Sequence, residues 1–217
     1  IVAGGQATSA DKVSYGDKTV QQALDDLNYK AIAINSFTND VGTVEMGSTV
    51  TDVTLSYSFN KTAKSLTLDG TAIDVASTKQ VLTGLTITAN KTYTLTATDD
   101  RDAKATKTTS ISFLNGCYYG VGTVDVDGAD KAFVAGLTKV LSGSRARTID
   151  VTAGEGEFIY YAIPHRLGTP SFTVGGFEGG FSLLKTFDYE NPAGYTESYD
   201  VYKSTNANLG ATKVVIA

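Results

Sequence analysis

Along much of this chain the apolar residues fall on every second position. Val53, Leu55, Tyr57 and Phe59 alternate with Thr54, Ser56 and Ser58, which predicts a strand whose apolar side chains face an inter-sheet core and whose polar ones face out. Runs of the same kind or rich in β-branched residues occur at Thr43 to Met46, Ser65 to Leu68, Gln80 to Leu85, Thr92 to Thr98 and Thr106 to Phe113. They are separated by GST, NK, DG, TG, NK and DDRD turn signals. Strands this short and closely spaced predict an immunoglobulin-like β-sandwich over residues 32–115, although the Cys and Trp of antibody domains are missing.

One stretch breaks the period of two. In TVQQALDDLNYKAI, Val20, Ala23, Leu24 and Leu27 fall at i, i+3, i+4 and i+7, and Thr19 and Gln22 are spaced as a capping box. A helix this short is marginal alone, so something must cover Val20, Leu24 and Leu27. Two coverings are open: the chain's own sandwich, or the same helix of two other subunits, which makes these three residues the candidate oligomerisation surface. The Gly-, Ala- and Ser-containing residues 1–18 read as an extended arm, so 1–31 forms an attachment segment.

A boundary is predicted near Asn115 and Gly116, with CYYGVGTV as a short connection into a second β domain over 116–217. There Phe133, Val134, Leu137, Val140 and Leu141 lie at helical spacing. Strands are predicted at Thr148 to Thr152, Phe158 to Ile163, Ser171 to Val174, Phe181 to Phe187 and Ser198 to Tyr202. The fold class is therefore all-β: an arm with a short helix, a sandwich, and a second sandwich-like domain with its own short helix.

Composition narrows the function. The net charge is −5, so the chain lacks the basic face that displaces counterions from nucleic acid. A single cysteine, Cys117, allows no internal disulfide and reads as a buried small apolar residue. No apolar run approaches a membrane span, and the start, IVAGGQATSADK, lacks the basic and apolar regions of a signal peptide.

Catalytic patterns are scarce. His165 is the sole histidine, which rules out paired-histidine metal and acid–base schemes within one chain, and it reads as a surface-loop residue. The carboxylates of DVDGAD, Asp125, Asp127 and Asp130, have the density hard cations want, but the spacing is not that of an EF-hand; a turn capping the next helix through Asp130 accounts for them. Asp99, Asp100 and Asp102 around Arg101 read as a charged hairpin tip. Glu155, Glu157, Glu178, Asp188 and Glu190 supply acids for glycoside hydrolysis, but nothing in the sequence pairs them. No enzyme activity, cofactor or metal is expected.

Two features point to surface recognition. In GGFEGG, glycines flank Phe177 and Glu178, which offers them either to a crowded sandwich corner or to a partner. Tyr160, Tyr161, Tyr189, Tyr195, Tyr199 and Tyr202 supply rings for stacking on sugars, with Asp200 or Asn206 to bind hydroxyls, as in a carbohydrate-binding adhesin module. Phe177, Glu178, Tyr195 and Tyr199 are the candidate surface-binding residues.

The segments VSYGDKTVQQALDDL, VEMGSTVTDVTLSYSFNK, NKTYTLTATDD, ISFLNGCYYGVG, TPSFTVGGFEGGF and GYTESYDVYKSTNANLG, in this order, cover most of the chain from about Val13 onward. Together they resemble bacteriophage virion structural proteins of the tail-fibre, baseplate or other appendage type. The resemblance implies a non-enzymatic virion protein, commonly trimeric, whose N-terminal region attaches to other virion proteins while distal domains face the host surface; a host-surface glycan is a further candidate partner, on the strength of the tyrosines. It carries no catalytic residues.

Overall fold

The computed structural model describes residues 9–217; of the predicted arm, residues 1–8 lie outside the described residues. The fold is all-β with two short α-helices, Val20–Leu27 and Lys131–Gly136. By compactness the chain divides into two units. One comprises residues up to Thr38 with Ser56–Lys79 and Tyr93–Thr108, and the other Asn39–Leu55, Gln80–Thr92 and Thr109–Ala217. Neither is one continuous stretch. The predicted boundary at Asn115 falls inside the strand Lys104–Gly122, and the expected connection CYYGVGTV is strand as far as Gly122, with Cys117 and Tyr118 buried. Cys117 and Tyr118 are too apolar and too well paired to link anything.

In the first unit, Ser65–Leu68 lies between Thr71–Ile73 and Lys91–Thr98, antiparallel to both. A three-stranded sheet has the order Ile34–Asn39, Val53–Phe59, Lys79–Leu82, of which residues 34–38, 56–59 and 79 belong to this unit. The expected alternation is present: Val53, Leu55 and Tyr57 are buried while Ser56 and Ser58 are exposed. Phe37 and Tyr57 from one sheet, and Leu66, Leu68, Tyr93, Leu95 and Ala97 from the other, supply the unit's buried side chains. This is a sandwich built by period-two patterning.

The second unit contains the antiparallel order Phe181–Glu190, Thr196–Ser204, Phe158–Pro164 and the end of Lys104–Gly122. Its two faces are both covered. On one, Cys117, Ile159, Tyr161, Ile163 and Tyr202 pack against Ile149, Ala153, Phe172, Val214 and Ile216. Those partners come from a four-stranded sheet of order Arg147–Ala153, Gly210–Ile216, Phe172–Val174, Phe177–Glu178. On the other face, Tyr118, Tyr160, Tyr189, Tyr199 and Val201 meet Val134 of the second helix. A sheet covered twice needs apolar residues at every position, which is why Ile159 to Pro164 is buried without alternation.

The second helix is shorter than its apolar spacing suggests. It ends at Gly136, and Thr138–Ser142 is a strand pairing with Asn115 to Tyr119. Val140 and Leu141 are thus strand residues; β-branched Thr138 and Val140 favour the extended form once a partner strand is at hand.

A turn after Phe181–Glu190 is tied by Asn191. Its side-chain amide donates to the Met46 carbonyl at 2.7 Å and its oxygen accepts from the Ala193 and Tyr195 amides, both at 3.0 Å. Gly47 passes so close that a Cβ there would stand 2.7 Å from Tyr195 Cβ, so the approach requires glycine.

Candidate assembly surface

The first helix starts where the capping box predicts. Thr19 Oγ1 accepts from the Gln22 amide at 3.1 Å, and Gln22 Oε1 accepts from the Thr19 amide at 2.8 Å. Four orphan N–H groups open any helix, and this reciprocal pair satisfies one of them together with the cap's own.

What holds the helix in place is its polar side. Asp26 forms ion pairs with Lys18 and with Arg101, each at 2.5 Å. The Arg101 guanidinium also lies 4.4 Å from the Tyr29 ring centroid, and Lys61 Nζ lies 4.5 Å from the same ring. The Tyr29 hydroxyl donates to Asp99 at 2.7 Å.

Asp99 is the hub of this clamp. It is 1% exposed. One carboxylate oxygen accepts from Tyr29 and from the Ile32 amide at 3.1 Å, and pairs with Lys61 at 2.7 Å. The other accepts from the Arg101 and Ala103 amides at 3.0 and 3.1 Å. The Lys61 ammonium first, and these donors after it, hold the Asp99 carboxyl well below the usual carboxylate range, against the opposing pull of desolvation. Bonding to Lys18 and Arg101 lowers Asp26 likewise, and bonding to Asp99 raises the Tyr29 phenol. Asp99 to Asp102 do form a charged turn between Lys91–Thr98 and Lys104–Gly122, but Asp99 within it is buried: its carboxylate joins residues some seventy positions apart, a partnership with no local signature.

The apolar stripe is left uncovered. No residue of Val20–Leu27 is buried; Leu24 is 45% and Leu27 81% exposed, and Val20 is half-buried. With Tyr15, 70% exposed, and Ala23 they line a shallow hollow of about 380 Å³. Among the described residues, the chain's own sandwich does not cover the three candidate oligomerisation residues.

The remaining candidates lie in the second unit. Phe177 is 81% exposed, Glu178 is exposed and Tyr195 is 37% exposed. Tyr199 is a correction: it is 2% exposed, packed on Tyr118 and Tyr189, with its hydroxyl donating to the Gly116 carbonyl at 2.8 Å. Burial pushes its phenol up. Tyr160, Tyr161, Tyr189 and Tyr202 are buried as well, so five of the six tyrosines are core side chains and Tyr195 is the exposed one of the set.

Several of the candidate carboxylates are held locally. Asp125 accepts from the Asp127 and Gly128 amides, and Asp130 caps the second helix through the Phe133 amide. Glu190 pairs with Lys131, and Glu157 accepts from the Gly154 amide. Among the described residues no three metal-ligating side chains gather, and no helix is long and apolar enough to cross a membrane. His165 stands on a 3-10 turn with Nδ1 2.9 Å from both oxygens of buried Asp200, which also accepts from Thr186 at 2.7 Å. Sequence reasoning missed this pairing, because strand register alone brings Asp200 beside Thr186 and Ile163.

No protein-family model matches the chain, and no curated protein matches it. Among solved structures, the eight N-terminal immunoglobulin domains of Down syndrome cell adhesion molecule isoform 1.30.30 align with 84% of this chain and 25% of their own, at 12% identity and a TM-score of 0.25. An α-L-rhamnosidase from Dictyoglumus thermophilum aligns over 87% of this chain and 25% of its own, at 12% identity and a TM-score of 0.26. SGBP-B of a Bacteroides ovatus mixed-linkage glucan utilization locus, in complex with a mixed-linkage heptasaccharide, aligns over 86% and 52%, at 15% identity and a TM-score of 0.21. The chain spans about a quarter of the length of the first two structures. Scores this low assign neither a shared fold nor a shared activity.

Proposed function

We propose that this protein is a non-enzymatic structural subunit of a phage virion appendage that works by self-assembly, three copies meeting through Val20, Leu24 and Leu27. The observation that carries the assembly reading is the inverted attachment of the first helix. Its charged side is clamped by Arg101 and the Asp99 hub, while the apolar side is left to solvent. A protein that merely needed the helix for its own stability would bury the leucines, since each is worth about 1.5–3 kcal/mol when covered. The spacing i, i+3, i+4, i+7 is that of a seam that interdigitates with copies of itself, and a rigid clamp presents it in a fixed direction.

The resemblance to tail-fibre, baseplate and other appendage proteins supplies the class, the virion location and the other virion proteins as partners; the immunoglobulin-like module is part of the same reading. Light scattering on the eluting protein over a range of concentrations tests the assembly. The expected mass is that of a trimer, falling to one chain in Leu24→Glu. A parent protein monomeric at every concentration overturns the assembly reading. Decoration of intact particles by an antibody against the chain tests the location.

A further inference from the structure

The GGFEGG segment forms one wall of a groove that the assembly reading does not use. Val174 pairs with Phe177 across Gly175 and Gly176, whose φ values of +57° and +92° are left-handed at both central positions of a two-residue hairpin. Three backbone bonds fix its base: Gly175 to the Lys213 carbonyl at 3.0 Å, Gly179 to Phe172 at 2.7 Å, and Thr205 to Gly180 at 2.9 Å. The hairpin therefore holds the Phe177 ring out in water, 81% exposed, rather than letting it fold onto the sheet.

Beside it lies a groove of about 390 Å³, lined by half-buried Val174 and Leu209, by Phe177, Glu178, Thr205 and Asn206, and by the backbone of Gly179 and Gly180. That volume lies within the ~300–1,000 Å³ of small-molecule sites. Among the described residues, the Glu178 carboxylate, the Thr205 hydroxyl and the Asn206 side-chain amide make no hydrogen bond or ion pair. A flat aromatic ring, a carboxylate, an amide and a hydroxyl thus share one concavity with their bonding capacity unspent.

We infer that this groove binds a neutral pyranose unit of an oligosaccharide. The C–H face of a sugar ring packs on an aromatic face, and vicinal hydroxyls match planar groups that accept two hydrogen bonds (Glu178) or donate and accept together (Asn206). The Glu178 carboxylate and the chain's net charge of −5 select against acidic sugars. The ring is pre-positioned by the glycine turn, so little freedom is lost on binding. The inference does not depend on self-assembly, since every residue in it belongs to one chain.

The test is an amide correlation spectrum of the full chain titrated with maltohexaose, cellohexaose and chitohexaose, with hexagalacturonate as the acidic control. Each is taken to about 10 mM, where a site with a Kd of about 1 mM is roughly nine-tenths full. At least one neutral sugar should move amides confined to 174–180 and 205–209. Phe177→Ala and Glu178→Gln, both at exposed positions, should weaken that binding at least about tenfold while leaving the remaining spectrum in place. The inference is overturned if none of the neutral sugars moves those amides, if hexagalacturonate moves them equally, or if the shifts survive Phe177→Ala.

Discussion

The two short helices use the same amphipathic design in opposite ways. Lys131–Gly136, capped by Asp130, turns its apolar side inward: Val134 is 0% exposed, and Phe133 sits edge-on to Tyr160 with ring centroids 4.7 Å apart. Val20–Leu27, capped by Thr19, is held by its carboxylate side and shows its leucines to water. Amphipathicity says that one face will be covered and leaves open by what. The answer depends on what surrounds each helix: a sheet face with four tyrosines in one case, a buried carboxylate with its cations in the other.

The contrast is broken most strongly by placing a charge on each apolar face in turn. Val134→Asp should destabilise the fold by about 3 kcal/mol or more, because an unpaired charge replaces a fully buried side chain. At concentrations low enough to keep the chains apart, Leu24→Asp should change stability by less than about 0.5 kcal/mol, as exposed substitutions do, while abolishing self-association at higher concentration. Denaturant melts of both variants at that low concentration check the pair, and a large loss in the second would mean that the stripe is covered within its own chain.

Removing the hub comes next. Asp99→Ala leaves the Lys61 charge and the Tyr29 hydroxyl without their acceptor and strips two hairpin-tip amides of theirs, so it should lower the melting temperature far more than Asp100→Ala does. Exchange of the Asp26 to Ile32 amides should speed up in the first variant alone. Equal melting of the two would remove Asp99 from its place at the centre of the clamp.

Acid offers a gentler probe. The Asp99 carboxyl is lowered in the folded protein, so its contribution is in force above the ordinary aspartate value of about 3.9 and disappears as pH falls through its folded value. The amides of Asp26 to Ile32 should therefore keep their protection from neutrality to about pH 4 and lose it only in stronger acid. Loss near pH 6 would show that some other group governs the attachment.

The smallest effect sharpens the comparison without touching the stripe. Thr19→Ala removes the cap and should cost the first helix about 1 kcal/mol. Self-association should weaken accordingly, as read by light scattering at low concentration, whereas Asp130→Ala should leave association alone and soften only the second helix.

Much of this architecture could be read from short-range pattern. Thr19 with Gln22 marked a helix start, Asp130 marked another, and the alternation from Val53 to Phe59 gave both strand and inward face. Where reading failed, the deciding contact was remote. Asp99 sits among charges in the sequence, so nothing nearby hints that Tyr29 and Lys61 close over it. The tyrosines near position 160 looked like a sugar platform because aromatic content is visible, whereas the second covering of their sheet is not. Val140 and Leu141 fit a helix on spacing alone, since a short apolar run satisfies both periods. Phe177 was legible as a loop residue, but its groove requires the turn at Thr205 to Leu209, some thirty positions on.

The turn held by Asn191 has a consequence for chemical ageing. Asparagine side chains are lost when the backbone nitrogen of the following residue attacks them and closes a succinimide ring, and that attack requires a nitrogen bearing hydrogen. Pro192 has none. The amide that binds Met46, Ala193 and Tyr195 is thus shielded from deamidation by its own neighbour, while exposed Asn206, followed by Ala207, is left open to it.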